Sequence, residues 1–521
     1  MTRASILCAL LAAGCGSVDD RDDCRTSAGC TAGEYCAHTP DGSVCWPDPV
    51  PPAVAGVTVA CGPGGCVRDG ALVVTAQVTD DKEVYAVDAT VDFDPGRPVA
   101  LVRGAGDEWT ATISLALLDL PALSREAVIT VRALDGARNE VSATAGAGQR
   151  PVVTRVRWEY PSSGQLTAPA VAADGTVVFG RSNTTDQLVA VHPDGTRAWS
   201  LTIGSGTVTS APSIGAQAIW VGANDGKLYA VKLDGSGELA SPSRTCTASG
   251  SAKGPPAVLT TGSTDVAFGA FSNGRILAST AAACAQTPLR DAFSAGAAVD
   301  LGGYVVGVTA SAGASSTRRF SWDGAAFEEL WSVAVGTTVT ATPAFDLEGR
   351  ILTGGQDAGL DRTTTAGVTS PLATLTGSVN ESPIVLSNGD LVVGDASGKL
   401  HRLDSAGAPV WSTPVDLGAA VHAPMALKDG PIRFLVATFD GKLHALDDAG
   451  VILWSGPLTA GQELGAGNLV TPAGSAFSTA YFGGADGKLY AVVVEGRLDT
   501  DAPWPKAWHD ARNTSRAGGA F

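Results

Sequence analysis

The six histidines of the chain do not form a catalytic or metal-binding motif. None of them takes part in a His-x-His or His-Glu-x-x-His pattern, which would place two imidazoles on one metal ion. The chain also lacks a P-loop, a dinucleotide fingerprint and the motifs of serine hydrolases. The residues therefore do not support a metalloprotease, a nucleotide-binding protein or a serine hydrolase. The histidines are His38, His192, His401, His422, His444 and His509.

The cysteines are the second group of residues that could carry chemistry, and their spacing favours disulfides over a metal site. Cys8 and Cys15 lie in the N-terminal leader. The other eight form an even set, as disulfides in an oxidising compartment require. Zinc is the alternative, but no Cys-x-x-Cys pair occurs. The eight candidates are Cys24, Cys30, Cys36, Cys45, Cys61, Cys66, Cys246 and Cys284.

The pairing of these cysteines is only partly predictable. Four of them fall within residues 24–45, a segment too short for a core of its own. We expect two bridges in this knot, in one of three pairings. Cys61 and Cys66 flank a Gly-Pro-Gly-Gly turn and predict a bridged loop. Cys246 and Cys284 are then left to pair across two loops.

The N-terminus has the pattern of an export signal. Arg3 is followed by the apolar run Ile6–Ala13 and by small residues, whereas a bilayer span needs about 20 apolar residues. The sequence Leu11-Ala12-Ala13-Gly14-Cys15 resembles a bacterial lipobox. This resemblance implies a signal peptide of residues 1–14, cleavage before Cys15 and acylation of that cysteine. A cleaved signal with an incidental cysteine is the alternative.

Four polar residues in the next segment are candidate calcium ligands. A Pro-rich linker ends at residue 52, and residues 53–148 hold strand-like runs at 71–78, 84–91, 108–113 and 127–133. These runs alternate with a period of two and predict a β-sandwich. Phrases around residues 78–81 and 132–139 resemble bacterial immunoglobulin-like domains. Oxygen ligands could converge there on calcium, although such residues also favour turns. The candidates are Asp80, Asp81, Asp135 and Asn139.

A repeat fills the rest of the chain, from residue 152 to residue 521. The phrase Asp-Gly-Lys-Leu-Tyr/His-Ala occurs at 225–230, 440–445 and 486–491, and a Pro-containing step recurs upstream of it. Eight such units fit, and a period of about 40–50 residues with four short strands is typical of propeller blades. Late in the unit lies a tryptophan, for which we expect a packing role between blades. The tryptophans are Trp158, Trp199, Trp331, Trp411 and Trp454.

These phrases resemble the repeat of the pyrroloquinoline-quinone (PQQ)-like propellers. That superfamily includes quinoprotein dehydrogenases and the propeller lipoprotein of the outer-membrane β-barrel assembly machinery. The tail at residues 502–513 resembles one that is common after such propellers, and we expect it to pack against the ring where the ring closes. The fold class predicted is all-β: an eight-bladed propeller preceded by an immunoglobulin-like sandwich and a small disulfide-rich segment.

The resemblance implies what an enzyme of this superfamily would need. It would hold a quinone on the ring axis, a metal bound by carboxylate and amide oxygens, and an Asp base. The matching set of residues is not found, and no adjacent Cys-Cys pair occurs. Four polar residues near the Pro step are expected to face a central funnel, where they could bind a ligand. These residues are Asn380, Glu381, His422 and Asn468.

The net charge of −17 disfavours nucleic acid and anionic lipid as partners. We therefore expect a non-catalytic lipoprotein without a cofactor, held to the outer membrane by a lipid anchor. Its propeller would bind protein, peptide or carbohydrate at the cell envelope. A PQQ-dependent dehydrogenase and an outer-membrane protein assembly factor are the alternatives.

Overall fold

The structure, a computed structural model, describes residues 24–40, 42–182, 185–204, 206–239, 245–280, 283–311, 313–336 and 338–518. The leader with Cys8 and Cys15 lies outside this part, as does the side chain of Cys246. Two compact units are present, residues 1–120 with 125–154 and residues 121–124 with 155–521. No helix among the described residues combines the length and the apolar character that crossing a bilayer requires.

Strands dominate both units. Helical structure in the described part is limited to three 3-10 turns, at Ser27–Gly29, Leu115–Leu117 and Ala147–Gln149. The strands up to residue 154 are β1 Glu34–Thr39, β2 Gly42–Pro47, β3 Ala53–Cys61, β4 Ala71–Thr79, β5 Val84–Val91, β6 Asp94–Ala100, β7 Val102–Arg103, β8 Glu108–Ser114, β9 Ser124–Glu126, β10 Ile129–Asp135, β11 Glu140–Thr144 and β12 Val152–Thr154.

The first unit is a β-sandwich with the cysteine knot attached. Its two four-stranded sheets, in the orders β3-β4-β8-β7 and β11-β10-β5-β6, share one hydrophobic core. Alternate residues point inward, as the pattern predicts: Leu72 and Val74 of β4 and Ile129 and Val131 of β10 are fully buried. The β1–β2 hairpin carries the knot, and Gly33 N donates to Ala137 O at 2.8 Å. The knot therefore belongs to the same compact unit as the sandwich.

Three disulfides are described in this unit. The structure pairs Cys24 with Cys36 and Cys30 with Cys45, which selects one of the three arrangements that the spacing left open. Cys61 and Cys66 close the short loop between β3 and β4. Cys284, in the second unit, is also disulfide-bonded. Its pairing with Cys246 stays a prediction, since that side chain lies outside the described part.

The second unit contains eight antiparallel sheets in the described part of the chain, seven of four strands and one of five. This arrangement is consistent with propeller blades. The strands of the first half are β13 Val156–Pro161, β14 Ala170–Val171, β15 Val177–Gly180, β16 Leu188–Val191, β17 Arg197–Leu201, β18 Ser213–Ile214, β19 Ala218–Gly222, β20 Lys227–Lys232, β21 Thr245–Thr247, β22 Ala252–Thr261, β23 Thr264–Phe271, β24 Arg275–Ser279, β25 Cys284–Gln286, β26 Ala298–Val299, β27 Val305–Ser311, β28 Ala314–Trp322 and β29 Phe327–Val335.

The second half repeats the same plan. Its strands are β30 Ala344–Phe345, β31 Ile351–Gly354, β32 Gly359–Thr363, β33 Thr369–Thr374, β34 Ile384–Val385, β35 Leu391–Gly394, β36 Lys399–Leu403, β37 Val415–Asp416, β38 Met425–Lys428, β39 Phe434–Ala437, β40 Lys442–Leu446, β41 Ile452–Pro457, β42 Asn468–Val470, β43 Phe477–Gly483, β44 Lys488–Glu495 and β45 Arg497–Leu498.

Where the repeat phrase occurs, it forms the third strand of its sheet. In the phrase at 225–230, Asp225 and Gly226 form the turn, and Gly226 has a φ of +80°, which glycine adopts without a steric penalty. Lys227 N donates to the Asp225 side chain at 3.2 Å, and β20 follows at once. The four consecutive residues from Leu228 to Val231 are buried because each sheet lies between two neighbours. Local sequence therefore determines where these strands begin.

The Pro step does not keep one position relative to the first strand of the sheets. It precedes that strand in five sheets, whereas Pro256 lies within β22 and Pro472 follows β42. Gly467 takes the preceding position, where an added Cβ would lie 2.2 Å from the ring of Phe482. The close approach of that ring leaves room for glycine alone.

The last sheet joins both ends of the second unit. Its order is β13-β44-β43-β42, so its outer strand comes from the beginning of the unit and the other three from near its end. Trp158 pairs with Ala491 and Tyr160 with Leu489 in this register. This pairing therefore joins the beginning of the second unit to its end.

Candidate functional site

The first strands of the eight sheets converge. We call β14, β18, β22, β26, β30, β34, β38 and β42 the inner strands, because several of them contact the corresponding strand of the next sheet. All of them except β22 have four residues or fewer, and the first and the last of them, β14 and β42, are in contact. The residues that they surround are therefore the place to look for a site on the ring axis.

The tail of the chain, residues 499–518, occupies that place. Val171 N donates to Ala511 O at 2.7 Å, and Val258 N donates to Thr514 O at 2.8 Å. The tail contacts all eight inner strands: six contacts are backbone hydrogen bonds of this kind, one is a contact between two rings and one is a side-chain hydrogen bond. The partners are Val171 with Ala511, Ile214 with Arg512, Val258 with Thr514, Val299 with Ser515, Phe345 with Trp504, Val385 with Trp504, Ala426 with Pro505 and Asn468 with Ala511.

A buried lysine organises the tail. Lys506 is fully buried, and its Nζ donates to Ala507 O at 2.7 Å and to Asn513 Oδ1 at 2.8 Å. Asn513 Nδ2 in turn donates to Pro169 O at 2.9 Å, in the segment that leads into β14. Burial lowers the pKa of Lys506 to about 7, against the opposing effect of Asp510. The tail is thus held by a polar network within the ring.

Beside the tail lies a pocket of about 440 Å³, which we call the funnel. Its walls are the segments that precede five inner strands, and Ala507 and Trp508 of the tail also line it. Trp508 and His509 have φ values of +62° and +75°, a conformation that bulky residues rarely adopt. The tail therefore turns sharply at the funnel and leaves the Trp508 indole half-buried there.

Charged side chains line the wall of the funnel. Lys253 comes from the start of β22, and Asn380 and Glu381 precede β34. Asn380 is exposed, whereas Lys253 and Glu381 are half-buried. The funnel thus presents an ammonium, a carboxylate, an amide and an indole to solvent.

Glu381 belongs to a charged cluster. His422 Nδ1 lies 3.1 Å from Glu381 Oε1, and its Nε2 lies 3.4 Å from Glu463 Oε1. The imidazole also stacks on Phe439, with ring centroids 4.1 Å apart. Burial lowers the pKa of His422, but the hydrogen bond to Glu381 and the carboxylate of Glu463 outweigh it and raise the pKa to about 9. The imidazole is therefore charged at neutral pH and is matched by two carboxylates.

Only two of the four residues that were predicted to face the funnel line it. Asn380 and Glu381 line the funnel, and His422 lies behind them against Glu381. Asn468 is fully buried and donates to Pro169 O at 2.9 Å and to Ala511 O at 2.7 Å, so it fastens the tail instead. A ligand in the funnel has no access to its amide.

Sequence reasoning missed four residues of this region. Lys253, Glu463, Lys506 and Trp508 belong to no repeat phrase. Lys253, Glu463 and Trp508 act with residues far along the chain, whereas Lys506 is held by Ala507 and Asn513 of the tail itself. The Trp-Pro-Lys-Ala-Trp-His run of the tail was the available signal, because two tryptophans so close together are more typical of a buried segment than of an exposed extension.

The four calcium candidates of the first unit also divide. Asp135 accepts hydrogen bonds from the backbone and the side chain of Asn139, at 2.8 and 2.7 Å. Asp80 and Asp81 lie with Asp48 in a separate group of carboxylates. Sequence reasoning did not include Asp48, because it stands in the linker far from the other three.

The repeat position shared by Tyr and His has a structural role. Tyr229 donates to Asp225 at 2.7 Å, and Tyr490 makes the equivalent bond to Asp486. His401 places its Nε2 2.9 Å from Asp395 Oδ2 and so replaces the tyrosine hydroxyl. His401 and His444 lie in strands β36 and β40 and are not among the residues that line the funnel.

Comparison with known proteins supports the propeller. A family profile described as "Outer membrane protein assembly factor BamB" matches residues 328–518, from the fourth sheet of the second unit to the tail. No curated protein matches the chain. Two solved structures illustrate the likeness at 16% identity, each covering 64% of this chain and 98% of its own. They are the computationally designed Ika8 protein, with a TM-score of 0.50, and BamB from Moraxella catarrhalis, with a TM-score of 0.48. Residues 328–518 therefore carry a BamB-like β-propeller repeat.

Proposed function

We propose that the protein is an exported, membrane-anchored lipoprotein whose second unit is an eight-bladed propeller and a non-catalytic binding scaffold at the cell envelope. The ligand, a protein segment, peptide or carbohydrate, would bind at the funnel. The first unit, an immunoglobulin-like sandwich with its cysteine knot, would separate the anchor from the propeller.

The position of the tail carries this proposal. In the quinoproteins that the repeat resembles, the cofactor lies on the ring axis. In this chain the inner strands use their backbone groups there to bond residues 504–517. A quinone at the same place would have to displace Lys506 and Asn513 from their buried bonds, so binding on the ring face is favoured over oxidation at its centre.

The funnel offers the groups that recognition requires. An indole gives a flat apolar surface for a sugar ring or an apolar side chain, and the Lys253 and Glu381 charges bind polar groups. The pairing of Glu381 with His422 fixes its carboxylate in place. These features suit a ligand that is bound and released without a change in its bonds.

A role in outer-membrane protein assembly is the second candidate. The family profile that matches residues 328–518 favours it. The partners would then be components of the assembly machinery rather than a separate envelope ligand. Both functions place the binding surface on the propeller, so one capture experiment distinguishes them.

The experiment captures partners from cell envelopes with the mature chain as bait. The test variant is Lys253→Glu, which reverses the charge in the funnel. The matched control is Lys232→Glu, at the end of β20, where the chain turns away from the funnel. We expect Lys253→Glu to lose at least tenfold of the main partner and Lys232→Glu to retain it.

Three outcomes separate the alternatives. Partners retained by Lys253→Glu would contradict binding at the funnel. Assembly-machinery components among the lost partners would favour the second candidate. Dye-linked oxidation of alcohols or sugars after addition of PQQ and calcium would overturn the non-catalytic proposal.

The anchor is tested separately. Cys15 lies outside the described residues, so its acylation stays a prediction. A Cys15→Ser chain should leave the membrane fraction and appear in the soluble envelope fraction. Retention in the membrane fraction would rule out lipidation at this cysteine.

A further inference from the structure

Three aspartates meet in the first unit. Asp48 follows β2, and Asp80 and Asp81 follow β4. One carboxylate oxygen of each lies within 4.8 Å of the others. Calcium binds oxygen at about 2.3–2.6 Å, so two ligand oxygens on opposite sides of one ion are separated by about twice that distance. The spacing thus fits three oxygens around a single calcium ion.

Two of these carboxylates have an oxygen without a partner. Asp48 is 2% exposed; its Oδ1 accepts Val50 N at 3.1 Å, while its Oδ2 is buried and has no hydrogen-bond partner among the described residues. Asp80 repeats this arrangement. Its Oδ1 accepts Lys82 N at 2.9 Å and Glu83 N at 2.8 Å, and its Oδ2 is buried without a partner in the same part of the chain.

Such oxygens are costly unless a cation binds them. Burying a carboxylate oxygen without a partner costs several kcal/mol. Three carboxylates that lie this close together also repel one another. A bound cation would remove both penalties at once.

Asn139 and Asp135 support this site without entering it. Asn139 Nδ2 donates to Asp48 O and to Asp135 Oδ2, each at 2.7 Å. Asp135 is fully buried and bonds the Asn139 backbone as well. The backbone at Asp48 is therefore held in place by the end of β10, which fixes the direction of its side chain.

Lys82 is the positively charged neighbour of the three aspartates, and its ion pair is with Asp81. Its Nζ lies 2.9 Å from Asp81 Oδ2, and its side chain is 40% exposed. The unpartnered oxygens of Asp48 and Asp80 have no bond to it. A second positive charge is needed to balance the group.

We propose that Asp48, Asp80 and Asp81 bind a calcium ion that ties the segment after the cysteine knot to the β4–β5 turn of the sandwich. The donors are oxygens only, which favours a hard cation over zinc or copper. Calcium is favoured over magnesium because the three donors come from irregular turns, which its flexible coordination accepts. The site is independent of ligand binding by the propeller.

The test is calorimetric titration of the chelator-treated full chain with calcium chloride in excess magnesium. We expect one site, with a dissociation constant of about 10⁻⁴–10⁻³ M, the range of extracellular calcium modules. Asp48→Asn should weaken binding at least tenfold. The matched control is Asp323→Asn, an exposed turn aspartate that bonds two backbone amides and lies in the second unit; it should bind as the wild type does.

Further variants keep the proposal falsifiable if Asp48→Asn fails to fold. Asp81→Asn changes a half-exposed carboxylate that forms an ion pair with Lys82, and it should also weaken binding. Lys82→Gln should bind calcium at least as tightly as the wild type, because a competing charge is lost. Absence of calcium binding by the wild type, wild-type affinity in Asp81→Asn, or weaker binding by Lys82→Gln would each overturn the proposal.

Discussion

At the scale of single residues, charge balance explains the cluster behind the funnel. His422 is 5% exposed, yet it is charged because Glu381 and Glu463 lie on either side of its ring. Removing one carboxylate would leave a buried positive charge only half compensated. The cluster therefore fixes the position of Glu381, a funnel residue, through a partner that a ligand does not touch.

This cluster predicts a pH dependence of stability. The folded-state pKa of His422 is raised to about 9 from an ordinary value of 6.5. Its stabilising contribution is thus complete below pH 6.5 and is lost as the pH rises through 9, and it amounts to roughly 3 kcal/mol. Thermal unfolding of the wild type and of His422→Gln, measured from pH 6 to pH 10, should show a difference in stability that shrinks over this interval.

A matched histidine serves as the control. His444 is buried as well, but burial lowers its pKa to about 4, so its ring does not titrate in the folded chain between pH 6 and pH 10. In the unfolded chain this ring titrates near 6.5, so the stability difference between the wild type and His444→Gln should rise slightly up to about pH 7.5 and stay constant from there to pH 10, where His422 still loses its contribution. A constant difference for His422→Gln as well would contradict the charged state of the cluster.

At the scale of elements, four tryptophans each fasten one sheet to the next by packing on a glycine turn. The Trp158 indole donates to Pro193 O at 2.9 Å, and an added Cβ on Gly195 would lie 2.9 Å from the same ring. The structure thus shows the packing between neighbouring sheets that was predicted for these indoles. The same contact joins Trp199 with Gly235, Trp331 with Gly367 and Trp411 with Gly450.

A pair of glycine substitutions measures this contact. Gly235 has a φ of +68°, and an added Cβ would lie 2.2 Å from Trp199; Gly474 has a φ of +75° and open space around it. Both alanine variants carry the backbone penalty of about 1–2 kcal/mol, but only Gly235→Ala also displaces the indole, at a further cost of about 1–3 kcal/mol. Denaturant unfolding should show the larger loss for Gly235→Ala. Equal losses would mean that the indole contributes little between sheets.

At the scale of the whole second unit, two long-range connections hold the eight sheets. The β13–β44 pairing joins the start of the unit to its last sheet, and the tail bonds the inner strands. Propellers resist opening when strands from both ends of the chain share a sheet. The ring can then open at that sheet only if the hydrogen bonds between those strands break. The tail adds a second such restraint at the centre.

These long-range connections are the part of the fold that local sequence patterns predict least. Strands β4, β5 and β20 and the turns at Asp-Gly follow from local patterns, and the structure confirms them. The tail was expected to pack where the ring closes, and it extends further, to every inner strand. Asn468 was expected to face the funnel, but it bonds the tail. Local sequence could not show this, because only the folded ring brings Ala511 to its side chain.

Hydrogen exchange of the mature chain tests most directly whether the tail fills the ring centre. The amides of Val171, Ile214, Val258 and Val299 donate to tail carbonyls, so their exchange reports on the tail itself. We expect these amides and those of residues 504–517 to exchange as slowly as the central strands of the sheets. Rapid exchange of residues 504–517, with the sheets still protected, would contradict a filled ring centre and reopen the axis to a cofactor.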